Sequence, residues 1–303
     1  MNSIRSVFDV NDNAEITLEA NPGTVDEPYL TTARKLGFNR LSLGVQSFDD
    51  RILSILGRIH TPDDVDEVFA FARNAGFANV NLDLIYAIPW QSMEVWSHSL
   101  QRAVSLAPEH ISLYPLTLEQ DVPMSRSIEA GEMPLIDSDL AAAQYELAQD
   151  FLAPEGYVQY EISNWSREGC QCLHNMAYWQ CRPYLGVGVA AHSFIDGRRR
   201  SNTENLDRYL TMFQPRGSYR PETDEVITSD TQLSDFLMMG LRMNCGISFA
   251  EIRNRFGVDF FERYGQEVDE LLQLELVEVD EQSIRLSRRG RLLGNEVFLR
   301  FIS

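Results

Sequence analysis

Residues 40–46 read Arg-Leu-Ser-Leu-Gly-Val-Gln, apolar at every second position. A strand sends successive side chains to opposite faces, so Leu41, Leu43 and Val45 share one face while Ser42, Gly44 and Gln46 share the other. The apolar set fits a core. The second set, two small residues and an amide, cannot fill one and either faces solvent or lines a pocket. The same alternation predicts strands at Glu15 to Ala20, Val80 to Tyr86 and His110 to Tyr114. Their second faces carry Thr17 and Glu19, Asn81 and Asp83, and Ser112 and Tyr114.

Helical patterns lie between these strands. One runs from about Asp26 to Leu36 with Gly37 at its end, and a short one from Asp49 to Leu56 stops at Gly57. Thr61 reads as the N-cap of a third, with Pro62 in its first position and Asp64 completing an acidic variant of the capping box. Its stripe is Val65, Val68, Phe69 and Ala72, and Gly76 ends it. A fourth covers Ser92 to Leu106. Strands alternating with helices at this spacing predict right-handed βαβ units and a parallel sheet. The interior of an ordinary (β/α) barrel is filled by Val, Ile and Leu, so a polar face in four strands points to a ligand. A satisfied polar network or an exposed sheet face is the bland alternative.

Thr117 to Asp139 is an irregular segment containing Gln120-Asp121-Val122-Pro123 and Gly131-Glu132-Met133-Pro134, placed to cover the mouth of the sheet or to run as a surface loop. A helix follows from Ser138 to Ala153, then strands at Gln159 to Ser163 and Leu185 to Val189. After Ser201 the pattern changes. Residues 1–201 form the main domain, 202–225 a polar connecting segment, and 226–303 a helical domain. That last domain has helices at Thr231 to Met243, Ser248 to Phe256 and Phe260 to Leu272, a hairpin of Leu276 to Val279 with Ser283 to Leu286, and a final helix from Ser287 towards Phe301.

Composition narrows the partners. The 303 residues carry a net charge of -19, which disfavours nucleic acid, and from Val226 on 9 Arg oppose 13 Asp plus Glu despite a helix-turn-helix look. No apolar run approaches the roughly 20 residues of a membrane span, and no secretory pattern opens the chain. Four cysteines in this length make no disulfide framework, so a cytoplasmic protein is expected. Cys170, Cys172, His174 and Cys181 do not have a recognised zinc spacing, and free thiols are the simpler reading.

Several segments together resemble the radical S-adenosylmethionine (SAM) proteins related to oxygen-independent coproporphyrinogen III dehydrogenase, in particular the HemW-type haem chaperones. They are Glu19 to Thr24, Leu41 to Phe48, Leu56 to His60, Asn81 to Tyr86, Ile111 to Thr117, His174 to Trp179 and Ala191 to Ser193, in the family's order. The resemblance implies an α/β fold: a partial (β/α) radical-SAM-type barrel of mostly parallel strands plus a small winged-helix-like C-terminal domain. It assigns Glu19, Gln46, Arg58 and Asp83 to SAM. Carboxylates and an amide suit an amino group and ribose hydroxyls, and a guanidinium grips a carboxylate. It also makes His174, in the His-Asn-x-x-Tyr-Trp motif, a candidate haem-iron ligand, with Tyr178 and Trp179 either flanking the macrocycle or packing against the sheet.

The chain departs from that family in two places. Complete members begin with two further βα units bearing a Cys-x-x-x-Cys-x-x-Cys loop for a four-iron four-sulfur cluster and a Gly-rich SAM loop; the resemblance starts at what would be their third strand. With the cluster cysteines absent, no catalytic residue is assigned and radical catalysis by this chain alone is not expected. The family also has Pro-Gly where this chain has Val189-Ala190. The expectation is thus a haem-binding protein that hands haem to a receiving protein, with SAM as a second ligand. The alternatives are a coproporphyrinogen dehydrogenase-type enzyme and, more remotely, a parallel-sheet enzyme for another small ligand.

Overall fold

The apolar and polar faces read from the strands set the architecture of the computed structural model, which describes residues 1–119, 122–215 and 217–302. The chain forms two compact units, Met1–Gln171 and Cys172–Ser303. In the first, α1 (Asn2–Val7) leads to β1 (Thr17–Ala20), α2 (Glu27–Lys35), β2 (Arg40–Gln46), α3 (Asp50–Ile55), α4 (Pro62–Asn74), β3 (Asn79–Tyr86), α5 (Met93–Ser105) and β4 (His110–Pro115). Strands β1 to β4 pair in parallel, neighbour to neighbour. Each main helix opens on a side-chain cap, from Asp26, Asp49, Thr61 and Ser92, and Thr61 with Asp64 closes the expected capping box. Such caps contribute about 1 kcal/mol apiece.

The apolar face of the sheet is fully buried: Leu41, Leu43, Val45, Val80, Leu82, Leu84, Ile111 and Leu113 are at most 1% exposed. Helices α2, α4 and α5 add Leu30, Val65, Val68, Trp96 and Leu100 to the same core. Burial of one such side chain is worth about 1.5–3 kcal/mol, so this layer rather than the polar face holds the unit together.

Beyond β4 the structure corrects the sequence reading. The segment read as irregular contains α6 (Pro123–Glu129), started by Pro123 at the first helical position; Gln120 and Asp121 of that stretch lie outside the described residues. Helix α7 (Ser138–Leu152) is capped by Asp137 and is fixed by Gln144, whose amide accepts from Ala87 N–H at 2.8 Å while its backbone carbonyl accepts from Trp96 Nε1 at 2.8 Å. The single strand expected at Gln159 to Ser163 is a tight hairpin, β5 (Val158–Glu161) and β6 (Asn164–Ser166). It joins β4 antiparallel, which gives the order β1-β2-β3-β4-β6-β5.

The second unit begins with α8 (Leu173–Trp179), then an antiparallel sheet of β7 (His192–Ile195), β8 (Arg198–Ser201) and, after α9 (Leu206–Met212), β9 (Thr223–Val226). No strand forms over residues 185–189. Gly186 lies so close to β7 that a Cβ there would stand 2.1 Å from the His192 carbonyl oxygen, and Gly188 takes φ +116, so the chain bends where alternation alone read as extended. Next come α10 (Ser229–Gly240), β10 (Ile247–Ser248), α11 (Phe249–Phe256), α12 (Phe260–Gln273), β11 (Val277–Val279) and β12 (Ser283–Leu286), with the three strands ordered β10-β12-β11. That is a winged-helix order of elements. The final helix is broken into α13 (Arg288–Leu292) and α14 (Gly294–Phe298) at Leu293, whose φ of -112 and ψ of 28 leave the helical region. No helix among the described residues is long and apolar enough to cross a membrane.

Candidate cofactor-binding face

Register builds the polar face row by row. Glu19, Ser42, Asn81 and His110 are successive partners across β1 to β4, with Asp83 and Ser112 paired one row further on. Asn81, 1% exposed, is the centre of a hydrogen-bonded network. Its Nδ2 donates to Ser42 Oγ at 2.6 Å and to Asp83 Oδ1 at 2.8 Å, and its Oδ1 accepts from Ser112 Oγ at 3.1 Å. Ser42 Oγ donates in turn to Asp83 Oδ2 at 2.9 Å.

These bonds settle the proton positions on His110. A carboxylate only accepts, so the Asn81 amide nitrogen faces Asp83 and its oxygen faces His110 Nδ1 at 2.6 Å. Nδ1 therefore carries the hydrogen. Burial first, and then the charge of Arg40, hold the His110 pKa well below its usual value, so the ring is neutral and Nε2 accepts from Tyr160 Oη at 2.8 Å. Tyr114, on the same face, has its phenol pushed up to about 12 by burial and then by the Asp83 charge. The network thus joins the Asp83 carboxyl group to amide, hydroxyl, phenol and imidazole groups.

The carboxyl end of β2 carries the second cluster. At Gly44 a Cβ would stand 2.7 Å from Asn21 Oδ1 and 2.9 Å from Gln46 Nε2, so glycine there lets these two amides converge over the backbone. Arg58 Nη1 donates to Asn21 Oδ1 at 3.2 Å. The loop bearing Arg58 is tied down by His60, 4% exposed, whose Nε2 donates to the Val45 carbonyl at 3.0 Å. Gln46 sits at a register shift between β2 and β3 with φ +66, a conformation that costs a non-glycine residue about 1 kcal/mol or more.

Of the residues expected to hold SAM, Gln46 and Arg58 thus meet around Asn21, Asp83 is held in the buried network, and Glu19 is exposed on the edge strand β1. Sequence reasoning missed Asn21, which it took only as part of a turn, and His110 with Tyr160. A polar residue heading a strand opposite Asn81 was the available signal for His110.

In the second unit His174 is exposed on α8, with the Tyr178 ring edge-on at 4.8 Å and Tyr184 beyond it at 4.6 Å from Tyr178. Trp179 turns away from this pair. The Arg242 guanidinium, just past the end of α10, lies over its indole at 4.6 Å, which supports the packing alternative for Trp179. Residues four apart share a helix face, and five apart do not.

The radical SAM superfamily profile matches residues 3–103, and that of the HemN C-terminal domain matches residues 227–293. Over nearly the whole chain the sequence is 33% identical to the heme chaperone HemW of Bacillus subtilis, covering 96% of this chain and 77% of that protein. The chain belongs to the HemW-type radical SAM family. The Lactococcus lactis HemW is 32% identical, over 100% of this chain and 79% of its own. The mouse mitochondrial radical S-adenosyl methionine domain-containing protein 1 is 33% identical over 95% of this chain and 67% of its own. Escherichia coli coproporphyrinogen III oxidase, HemN, superposes with a TM-score of 0.84 at 24% identity over 99% of this chain and 72% of its own, a match of fold.

The family implies SAM, an iron–sulfur cluster and haem, and the residues present fit them unequally. The cysteines do not fit a cluster. Cys172 is buried, and burial raises the thiol pKa of Cys170, Cys245 and Cys181, the last to about 11, which disfavours the thiolates a cluster needs. Among the described residues no three His, Cys, Asp or Glu are grouped to hold a metal. The Asn21, Gln46 and Arg58 cluster does fit a ligand bearing amino-acid and ribose groups, since it offers a guanidinium and two amides at one strand end. An exposed imidazole with a tyrosine at its side fits haem iron.

Proposed function

We propose that this chain is a haem-binding protein that passes haem to a receiving protein in the cytoplasm. The observation that carries the reading is the exposed His174 on α8, its ring steadied by Tyr178 at 4.8 Å. An imidazole is a common axial ligand, and a surface helix leaves room for a flat macrocycle and for its release. Names support this too, since the curated relatives quoted above from two bacteria are heme chaperones. Titration of the purified protein with haem, read in the Soret band, tests it. His174→Ala is expected to shift the band and weaken binding at least tenfold; an unchanged spectrum and affinity would sink the assignment.

SAM is the second ligand proposed, held by Arg58 at its carboxylate, with Gln46, Glu19 and Asp83 for amino and hydroxyl groups. Calorimetry with SAM should give weaker binding for Arg58→Ala and Gln46→Ala than for the parent, and equal binding refutes the site. The alternative, a coproporphyrinogen oxidase-type enzyme, draws on the fold match to HemN. It requires 5'-deoxyadenosine to form after anaerobic cluster reconstitution, and the cysteine chemistry leads us to expect none. Residues 1–201 would then be the ligand-binding part, 202–225 a connector and 226–303 the winged-helix-like part.

A further inference from the structure

Thr17, Arg40 and Asn79 are direct register partners across β1, β2 and β3, one row below Ser42 and Asn81 on the polar face. Arg40 is 4% exposed, and its Nε is buried with no hydrogen-bond partner. Thr17 Oγ1 and Asn79 Oδ1 in the same row are buried and equally unpartnered. Three orphaned polar atoms abreast, one on a charged guanidinium, cost several kcal/mol unless something satisfies them.

Among the described residues Arg40 makes no ion pair. His110 and Cys170 both feel the Arg40 charge, but burial keeps the first neutral and raises the thiol pKa of the second. Glu109, next to His110 in the chain, is already gripped by Arg73 through two bonds of 2.9 Å and by the Val80 N–H at 2.9 Å.

We propose that this row binds a small carboxylate anion, with the Arg40 guanidinium taking its two oxygens and the Thr17 hydroxyl and the Asn79 amide donating beside it. A planar fork matched to a planar carboxylate is the strong form of this contact. Asn79 Oδ1 is left without a partner, so turning the amide to bring its –NH2 into the row breaks no bond made by that oxygen. Thr17 and Asn79 keep some exposed surface at the starting end of the strands although Oγ1 and Oδ1 are covered, so an anion enters from that end as these two side chains turn. Arg58 grips Asn21 over Gly44, four residues along β2 from Arg40 or about 13 Å at the rise of an extended strand, so this site is separate from the SAM cluster and independent of haem or SAM binding.

The test is thermal unfolding of the full chain with sodium acetate replacing sodium chloride at constant ionic strength. A saturable rise in Tm is expected for the parent. Thr17→Val should move the half-saturating acetate concentration up about tenfold, Arg40→Gln should abolish the response, and Arg40→Lys should restore part of it. Equal responses to acetate and chloride in the parent overturn the proposal. If Arg40→Gln does not fold, the isosteric Thr17→Val decides: a half-saturation unchanged from the parent also overturns it.

Discussion

Acidification should loosen the first unit through His110. The ring is buried, donates from Nδ1 to Asn81 and accepts at Nε2 from Tyr160, so protonation places a second hydrogen against a hydroxyl that is already donating. The folded pKa lies well below 6.5, while the unfolded chain titrates near 6.5. A depressed histidine pKa means that the unfolded state binds the proton more readily. The full contribution is therefore present above about pH 6.5 and is lost as pH falls from there towards the folded pKa. In that window the slope approaches 1.36 kcal/mol per pH unit, and between pH 6.5 and 5.5 the loss integrates to about 1 kcal/mol. Carboxylates do not obscure it. Asp64 and Glu94, the acids of this unit with lowered pKa, have ordinary values of 3.8 and 4.5, so their contributions fade only at lower pH.

The assay is native-state hydrogen exchange of the β3 and β4 amides, which reads opening of this unit alone, at pH values between 5.5 and 7.5. His110→Gln is the control, since glutamine keeps an amide near Asn81 and does not titrate. The parent should lose about 1 kcal/mol more opening free energy than the variant between pH 6.5 and 5.5. Parallel pH profiles for the two proteins would refute the reasoning, because the pH dependence would then belong to other groups.

Three further outcomes follow from the same geometry. Asn81→Leu removes the partners of His110, Ser112, Ser42 and Asp83 at once and should destabilise the first unit by about 3 kcal/mol or more in urea unfolding. Gly44→Ala places its methyl against the movable ends of Asn21 and Gln46, so unfolding should change by less than about 1 kcal/mol while SAM affinity, measured by calorimetry, falls about tenfold. Ala190 sits at φ +59, and Ala190→Gly should raise the Tm slightly, by a stability gain of about 0.5 kcal/mol.

Much of the first unit was legible because its signals are local. Period-2 alternation located β1 to β4 and assigned their faces, and Thr61, Pro62 and Asp64 marked the start of α4 to the residue. Where the signal depends on a distant partner, the reading failed. Residues 185–189 alternate like a strand, but Gly186 must lie against the His192 backbone, and nothing local reports that contact. Strand β6 is three residues long and is defined by pairing with β4, so Asn164–Ser166 carry no periodicity of their own. The Val189-Ala190 departure was visible, yet its consequence was not: the backbone keeps the left-handed turn a glycine would take, with alanine in it.

The polar face shows why a site is harder to read than a fold. Alternation said correctly that Ser42, Asn81, Asp83 and Ser112 share a face, and offered three explanations: a ligand, a satisfied network or an exposed sheet face. The structure divides the face by row. In the middle, Asn81 bonds to all its polar neighbours and holds Asp83 in place. At the two ends the accounting stays open: Gln46, Arg58 and Asn21 converge at the finishing end of β2, and Arg40 Nε is left without a partner at its start. A hydrogen-bonded middle holds the strands in register, and that rigidity is what lets donors at both ends wait, preorganised, for groups they do not yet contact.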